Sequence, residues 1–286
     1  MDWYLIAFIS ALLSALAAIG QKKLLFDMEA LDFSLILSII NALIALILIP
    51  IIQFNEISTL SLLILYFKTI IGALAFLFVM LAIKNLEISG ALPLMILTPA
   101  FFILGENLSA LEIVGLGTLL MGIYILETST TSSMLESLKV FRTSRYKRYL
   151  VGAILLFTIS TLIDKFLLKN HQLAPISFLF FQQIFLAINF VIIYLLSKGK
   201  VSSLTKSVSI KMVLSVLLIS LFTIGYRYTQ LEAMKIAPVA LVLSIKRTSI
   251  FFAAIIGGRI FSERALLRRG IATLFLLIGV YLIVNM

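Results

Sequence analysis

Two adjacent cations, Lys246 and Arg247, lie in the middle of an apolar stretch of the chain. The local sequence is LSIKRTSIFF (243–252), and the apolar run around it covers residues 237–256. At about 1.5 Å per helical residue such a run spans roughly 30 Å, the thickness of a bilayer core. A charge there costs about 2.5–3.5 kcal/mol even on the mild insertion scale, so each cation needs a partner or water. Because ammonium and guanidinium groups bind carboxylate and phosphate, the pair predicts an anion site within the membrane.

A third cation, Arg227, is predicted to share a chamber with this pair. It lies seven residues, about 10 Å, before the end of the apolar stretch 212–234, and Lys246 lies nine residues, about 14 Å, after the start of the next stretch. Because the link between the stretches is very short, both cations fall at similar depth on antiparallel neighbours. Two tyrosines add donors, and a carboxylate serves as counter-ion or as partner for a substrate ammonium. The candidate substrate-binding residues are Lys246, Arg247, Arg227, Tyr226, Tyr228 and Asp164.

The same charges also fit a structural ion-pair network, with Asp164 and Glu232 as counter-ions. Asp164 approaches from the same membrane side as Arg227, so this alternative stays open. Adjacent helical residues point about 100° apart, and we therefore expect one of the two neighbouring cations to face the cavity while the other packs between helices. Lys68 lies near the start of its own apolar stretch and is predicted to snorkel to the membrane surface.

Several neutral polar residues inside the apolar stretches have two possible roles. They either line a cavity or hydrogen-bond one helix to another, and the second role is the commoner one in membranes. These residues are Asn41, Gln182, Gln183 and Asn189.

The composition excludes most other chemistry. The chain of 286 residues is 62% hydrophobic and 13% charged, with a mean hydropathy of +1.18, far outside the range of a soluble domain. It has no Cys and a single His, His171, which excludes thiol catalysis and Cys or His metal clusters. Neither GxxxxGK[ST] nor HExxH occurs, so ATP-driven pumping and zinc hydrolysis have no support, and we expect no cofactor. The net charge of +10 comes mostly from Lys and Arg between apolar segments, which is typical of membrane proteins and does not indicate nucleic-acid binding.

The apolar stretches predict an all-α polytopic membrane protein with ten transmembrane helices. Polar, basic connections at 127–148 and 197–211 are the longest links, and the first divides the helices five and five. We therefore expect a five-helix unit at 1–126, a basic connecting loop at 127–148 and a second five-helix unit at 149–286. The predicted spans fall near 3–20, 33–53, 62–83, 88–104, 111–126, 149–168, 175–196, 212–234, 237–256 and 266–284.

The two units repeat each other in sequence. Residues 18–37 align without gaps on 161–180, and AIK at 82–84 aligns on AMK at 233–235. Because each unit has an odd number of spans, the second enters the membrane from the opposite side, which predicts two inverted five-helix repeats and transport by alternating access. On the second alignment the basic pair lies opposite Met-Ile at 95–96, so it occurs in one unit only. A structural requirement of the repeat would tend to appear twice, which favours substrate binding.

The predicted links differ in their content of Lys and Arg. The odd-numbered links contain sixteen, and the even-numbered links contain three, namely Lys165, Lys169 and Lys235. By the positive-inside rule, this asymmetry puts the odd-numbered links in the cytoplasm and both termini outside.

Two segments near the ends of the units carry a family resemblance, LGENLSALEIVGLGTLLMGIYIL (104–126) and FSERALLRRGIATLFLLIGVYLI (261–283). Each contains a glutamate, Glu106 or Glu263, with a glycine 16 residues later. This duplicated pattern resembles the signature of EamA-type transporters of the drug/metabolite transporter superfamily. The resemblance covers nearly the whole chain and implies two inverted five-helix copies. It also implies cytoplasmic termini, opposite to the charge count, so both orientations stay open.

The resemblance implies substrates such as amino acids and their analogues, nucleotide sugars or sugar phosphates. Sugar-phosphate members of that superfamily carry a Lys-Arg pair on their ninth helix that holds phosphate, and Lys246-Arg247 is similar in type and place. Together with the cations, this predicts a secondary transporter, not an enzyme, for a small anionic or zwitterionic metabolite in a prokaryotic inner membrane. The expected partners are the metabolite, the lipid bilayer and a coupling proton or exchanged metabolite, with the protein a monomer or homodimer. A translocase for lipid-linked or phospholipid headgroups is the alternative.

Overall fold

The computed structural model of the protein describes residues 2–52, 54, 57–86, 109–127, 145–198 and 209–260, and seven positions between 271 and 282. In these ranges the chain is helical apart from short links. A 3₁₀ helix, Leu46–Ile51, extends the second α-helix. The α-helices are α1 Trp3–Leu24, α2 Ala30–Ala45, α3 Thr59–Asn85, α4 Ala110–Glu127, α5 Arg145–Lys169, α6 Pro175–Lys198, α7 Ile210–Ile236, α8 Val239–Lys246 and α9 Thr248–Ile260.

Seven helical segments in the described ranges are long and apolar enough to cross a membrane, and the chain is an integral membrane protein. Helices dominate because a backbone in hydrocarbon must satisfy its own N–H and C=O groups. The last of the seven, Leu241–Ile260, combines most of α8 with α9. The predicted span at 88–104 lies outside the described residues, as does most of the one at 266–284. The count of ten spans stays a prediction.

Two helices begin with the same serine cap. The Ser58 side chain accepts a hydrogen bond from the Ser61 backbone N–H at the start of α3, and Ser209 accepts one from Met212 N–H at the start of α7. Such a cap satisfies a backbone donor that has no partner within the helix. The caps are 151 residues apart, which is also the offset that aligns 82–84 with 233–235.

Helices of the two sequence units pack against each other in pairs: α1 on α7, α3 on α5, and α2 on α6. Ser61, at the start of α3, lies 2.9 Å from Nδ1 of His171, just after the end of α5. The short links between α1, α2 and α3 make α3 run parallel to α1, so α5 runs opposite to both. We call the side where α1 and α3 begin and where α5 and α7 end the N-terminal face.

Candidate functional site

A cavity of about 320 Å³ lies between the helices of both units. Small-molecule sites commonly enclose about 300–1,000 Å³, so this volume suits a metabolite. Among the described lining residues, four cations face one carboxylate, which leaves three positive charges in excess. These five residues are Lys68, Asp164, Arg227, Lys246 and Arg247.

Asp164 binds two of these cations. One carboxylate oxygen lies 2.8 Å from Nζ of Lys68 on α3, and the other lies 2.6 Å from Nη2 of Arg227 on α7. Arg227 Nε also donates to Oε1 of Gln182 at 3.1 Å. The ring of Phe178 adds cation–π contacts, at 5.1 Å from Lys68 Nζ and 5.7 Å from the guanidinium carbon of Arg227. The predicted ion pair between Asp164 and Arg227 is confirmed.

The interpretation of Lys68 as a snorkelling lysine is wrong. Its side chain is 2% exposed and lies on the cavity wall, paired with Asp164. The position in the helix allows either orientation, and the carboxylate of α5 decides between them because it offsets the cost of burying the ammonium. A partner on another helix cannot be read from the spacing of residues along α3.

Lys246 differs from Lys68 and Arg227 because its described partners are neutral. Its Nζ donates to the side-chain oxygen of Gln230 and lies 4.6 Å from the centre of the Tyr226 ring. Gln230 had not been predicted as a site residue, although it lies three residues after Arg227 and so shares its helix face. The positive charge of Lys246 is therefore stabilised by dipoles and a ring without being neutralised.

Tyr226 lines the cavity, whereas Tyr228 is not among the described lining residues. Glu232 lies four residues after Tyr228, so the two side chains share one face of α7 and the carboxylate is the charge next to the Tyr228 phenol. Tyr228 is therefore not placed to donate to a ligand in the cavity, and Glu232 is engaged away from the cations it was expected to balance. The reason is helical geometry, since residues 226 and 228 point about 200° apart.

Arg247 lines the cavity together with Lys246, so the expectation that only one of them faces it is wrong. Helix α8 ends at Lys246 and α9 begins at Thr248. Arg247, between them, keeps a conformation close to helical, with φ −67°, ψ −15° and its backbone N–H bonded to Leu243 O at 3.0 Å. The two side chains therefore still point about 100° apart, and the cavity contacts both of them.

The neutral polar residues divide between the two roles considered for them. Asn189 donates to Oγ1 of Thr69 at 3.1 Å and so joins α6 to α3. The other three, Asn41, Gln182 and Gln183, line the cavity. The side-chain oxygens of Asn41 and Gln183 have no hydrogen-bond partner in the described part of the chain, although these residues are only 5% and 2% exposed. A buried unpaired oxygen costs about 1–3 kcal/mol, which a ligand donor or water would relieve.

Residues 148–285 match the model of the EamA-like transporter family. These 138 of the 286 residues, nearly the whole of the second sequence unit, are similar to that family. A solved structure described only as a crystal structure of a protein has a TM-score of 0.67 to this chain at 13% identity, covering 98% of this chain and 95% of the other. That likeness concerns the fold alone. No curated protein gives a significant match.

The match to the EamA-like family indicates a membrane transporter of small molecules. Of the residues that carried the sequence resemblance, Glu106 and Glu263 lie outside the described part of the chain. Gly279, the glycine 16 residues after Glu263, is among the described residues. A Cβ on Gly279 would lie 2.9 Å from the backbone oxygen of Gly115, so this glycine allows α4 and the last segment to approach closely.

Proposed function

We propose that the protein is a secondary transporter of small anionic or zwitterionic metabolites. The observation that carries this proposal is the excess of positive charge on the cavity wall, where Lys246 has no carboxylate partner among the described residues. In a site shielded from water, charge attraction is several times stronger than at a surface, so an anion that enters gains from these cations. An ion-pair network accounts for Arg227 through Asp164, but it does not account for Lys246.

The depth of the cations supports a transport site. Lys246 lies seven residues, about 10 Å, after the start of α8, and Arg227 lies nine residues, about 14 Å, before the end of α7. In a hydrocarbon core of about 30 Å both are close to the midplane. Secondary transporters bind their substrates there, beside interrupted helices such as the α8–α9 junction.

The packing of the units supports alternating access. In the predicted repeat α1 corresponds to α5 and α3 corresponds to α7. A twofold axis that relates the units would therefore superpose the α1–α7 pair on the α3–α5 pair, and both pairs are in contact. The opposite directions of α1 and α5 agree with this relation. We therefore propose two inverted five-helix repeats at 1–126 and 149–286 that rock about the cavity in a prokaryotic inner membrane.

Asp164 serves in this proposal as a counter-ion and not as the partner of a substrate ammonium, because each of its oxygens already contacts a cation. A zwitterionic substrate would instead place its N–H groups against the unpaired oxygens of Asn41 and Gln183. Both substrate classes thus use the same cationic wall.

Thermal stabilisation of the purified protein by a panel of amino acids, carboxylates, sugar phosphates and nucleotide sugars tests the proposal. An anionic ligand at about 100 times its Kd would stabilise the protein by about 2.7 kcal/mol. We expect Lys246→Gln to abolish this stabilisation and Lys235→Gln to retain it, because Lys235 is an exposed cation at the end of α7. An anion that stabilises the native protein and the Lys246→Gln variant equally would contradict the proposed site.

A further inference from the structure

The α3–α5 seam, residues 61–72 against 160–171, joins the two units by a regular series of contacts. Ser61 Oγ lies 2.9 Å from His171 Nδ1, and Lys68 Nζ lies 2.8 Å from Asp164 Oδ1. Next along α3, a Cβ on Gly72 would lie 4.0 Å from the hydroxyl oxygen of Ser160. From one contact to the next, the residue number on α3 rises by seven and then by four, and the residue number on α5 falls by seven and then by four. The seam is therefore one continuous antiparallel crossing that starts at the N-terminal face.

The ion pair in this seam forms the end of the cavity. On α3 the lining residues begin at Lys68 and continue to Ile83, two residues before the helix ends. On α5 the last lining residue is Asp164. Between the ion pair and the N-terminal face, neither helix contributes a described lining residue, so the ion pair marks where the cavity ends along this seam.

Aromatic side chains pack beside the closed end. The ring of Phe54 lies 6.5 Å from that of Phe180 and 6.2 Å from that of Phe181, and the ring of Tyr66 lies 5.3 Å from that of Phe185. Such contacts exclude water, whereas the ion pair between Lys68 and Asp164 is a buried charged contact within the seam. Its loss would leave a buried charge that only incoming water could solvate.

We propose that the α3–α5 seam is the gate of the transport site at the N-terminal face, and that the ion pair between Lys68 and Asp164 holds this gate closed. Lys68 is then a positioning residue for transport, contributed by the first unit. The inference rests on the proposed function. It links the gate to the substrate because Asp164 also binds Arg227, so an anion that pairs with Arg227 weakens the hold of Arg227 on the carboxylate and disturbs the closed gate.

The absence of cysteine from the chain allows a direct distance measurement across the gate. Thr59 and Asn170 are exposed residues at the face end of the two helices, and each can be replaced by Cys and spin-labelled. Without any ligand, we expect double electron–electron resonance on the otherwise native protein to show a short distance as the major population and a longer distance as a minor one. With Lys68→Met or Asp164→Asn added, we expect a longer distance to change from a minor to a major population.

Ser160→Ala is the matched control, because it changes a buried residue of the same seam without removing a charge. The control should keep the short distance. If Asp164→Asn fails to fold by size-exclusion chromatography, Ser61→Ala supplies a milder test. It removes the hydrogen bonds of the Ser61 hydroxyl to His171 across the seam and to Ser58 within α3, but no charge, and should shift the populations in the same direction by less.

Unchanged distances in folded Lys68→Met overturn the inference, as does an equal change in Ser160→Ala. Because the measurement needs no ligand, its failure is distinct from failure of the proposed function. If Lys246→Gln loses the stabilisation by anions while Lys68→Met keeps the native distance, the proposed transport site is supported and the proposed gate is contradicted. If Lys68→Met lengthens the distance while no anion stabilises the native protein, the gate is supported and the anion site is contradicted.

Discussion

The α3–α5 seam and the α1–α7 seam cross the two units in the same way but differ in chemistry. Under the alignments of the predicted repeat, Lys68 corresponds to Ile219 and Asp164 corresponds to Gln21. Where one seam has a buried ion pair, the other has close apolar packing, with Ile219 Cγ1 only 2.7 Å from the place of a Cβ on Gly20.

This difference helps to distinguish contacts that stabilise the fold from contacts that stabilise one conformational state or bind a ligand. Features that both units need appear twice, such as the serine caps of α3 and α7. The charged features of the cavity appear once. A buried ion pair is weak evidence for stability, because desolvation offsets much of its attraction. Its presence in one seam only is better explained by a role in function.

The largest expected effect comes from removing the carboxylate of the charged seam. Asp164→Asn leaves Lys68 and Arg227 without their counter-ion, and we expect a loss of about 3–5 kcal/mol in the free energy of unfolding. The double variant Lys68→Met with Asp164→Asn should recover part of that loss, because one of the two stranded cations is removed. Unfolding in detergent micelles measures both values. A double variant less stable than Asp164→Asn would mean that the lysine contributes packing and not charge.

Transplanting the ion pair to the apolar seam gives the next largest effect. Gln21→Asp and Ile219→Lys each bury an unpaired charge and should destabilise the protein, whereas the two together should restore a favourable coupling of about 0.5–3 kcal/mol. The coupling is measured by a double-mutant cycle of unfolding free energies. Strictly additive effects would show that Gln21 and Ile219 do not face each other and would break the equivalence of the two seams.

A smaller contrast is expected between one glycine from each seam. A Cβ on Gly72 meets nothing closer than 4.0 Å, so Gly72→Ala should stabilise α3 by about 0.5–1 kcal/mol through helix propensity. A Cβ on Gly20 would clash with Ile219, and Gly20→Ala should instead destabilise by about 1 kcal/mol. Thermal unfolding of the two variants tests this, and similar shifts in both would indicate that the two seams pack equally loosely.

Several features could be predicted from the sequence because they depend on local composition or on spacing along one helix. The seven described helical segments that are long and apolar enough to cross a membrane could be predicted from the length of the apolar stretches. The shared cavity of Arg227 and Lys246 follows from the short link between their helices. In two antiparallel helices joined by a short link, residues at similar distances from the link lie at similar depth in the membrane. The ion pair of Asp164 with Arg227 follows from the same reasoning about depth.

Other features could not be predicted because they depend on how each helix is rotated and which helix it meets. Lys68 has the same position in its helix whether it snorkels or binds Asp164. The rotation of α7, which turns Tyr226 toward the cavity, and the lining of the cavity by both Lys246 and Arg247 likewise depend on packing between helices.

The sequence by itself determined that this protein is a helical membrane protein with charged residues at membrane depth. The physical reason is that hydrocarbon forces the backbone to satisfy its own hydrogen bonds, and any stretch that is long and apolar enough meets that demand as a helix. Only the tertiary structure decided which charges neutralise each other and which face the cavity. An ion pair acts over a few ångströms, so it depends on the crossing of α3, α5 and α7, and residues far apart in the sequence meet only when those helices pack.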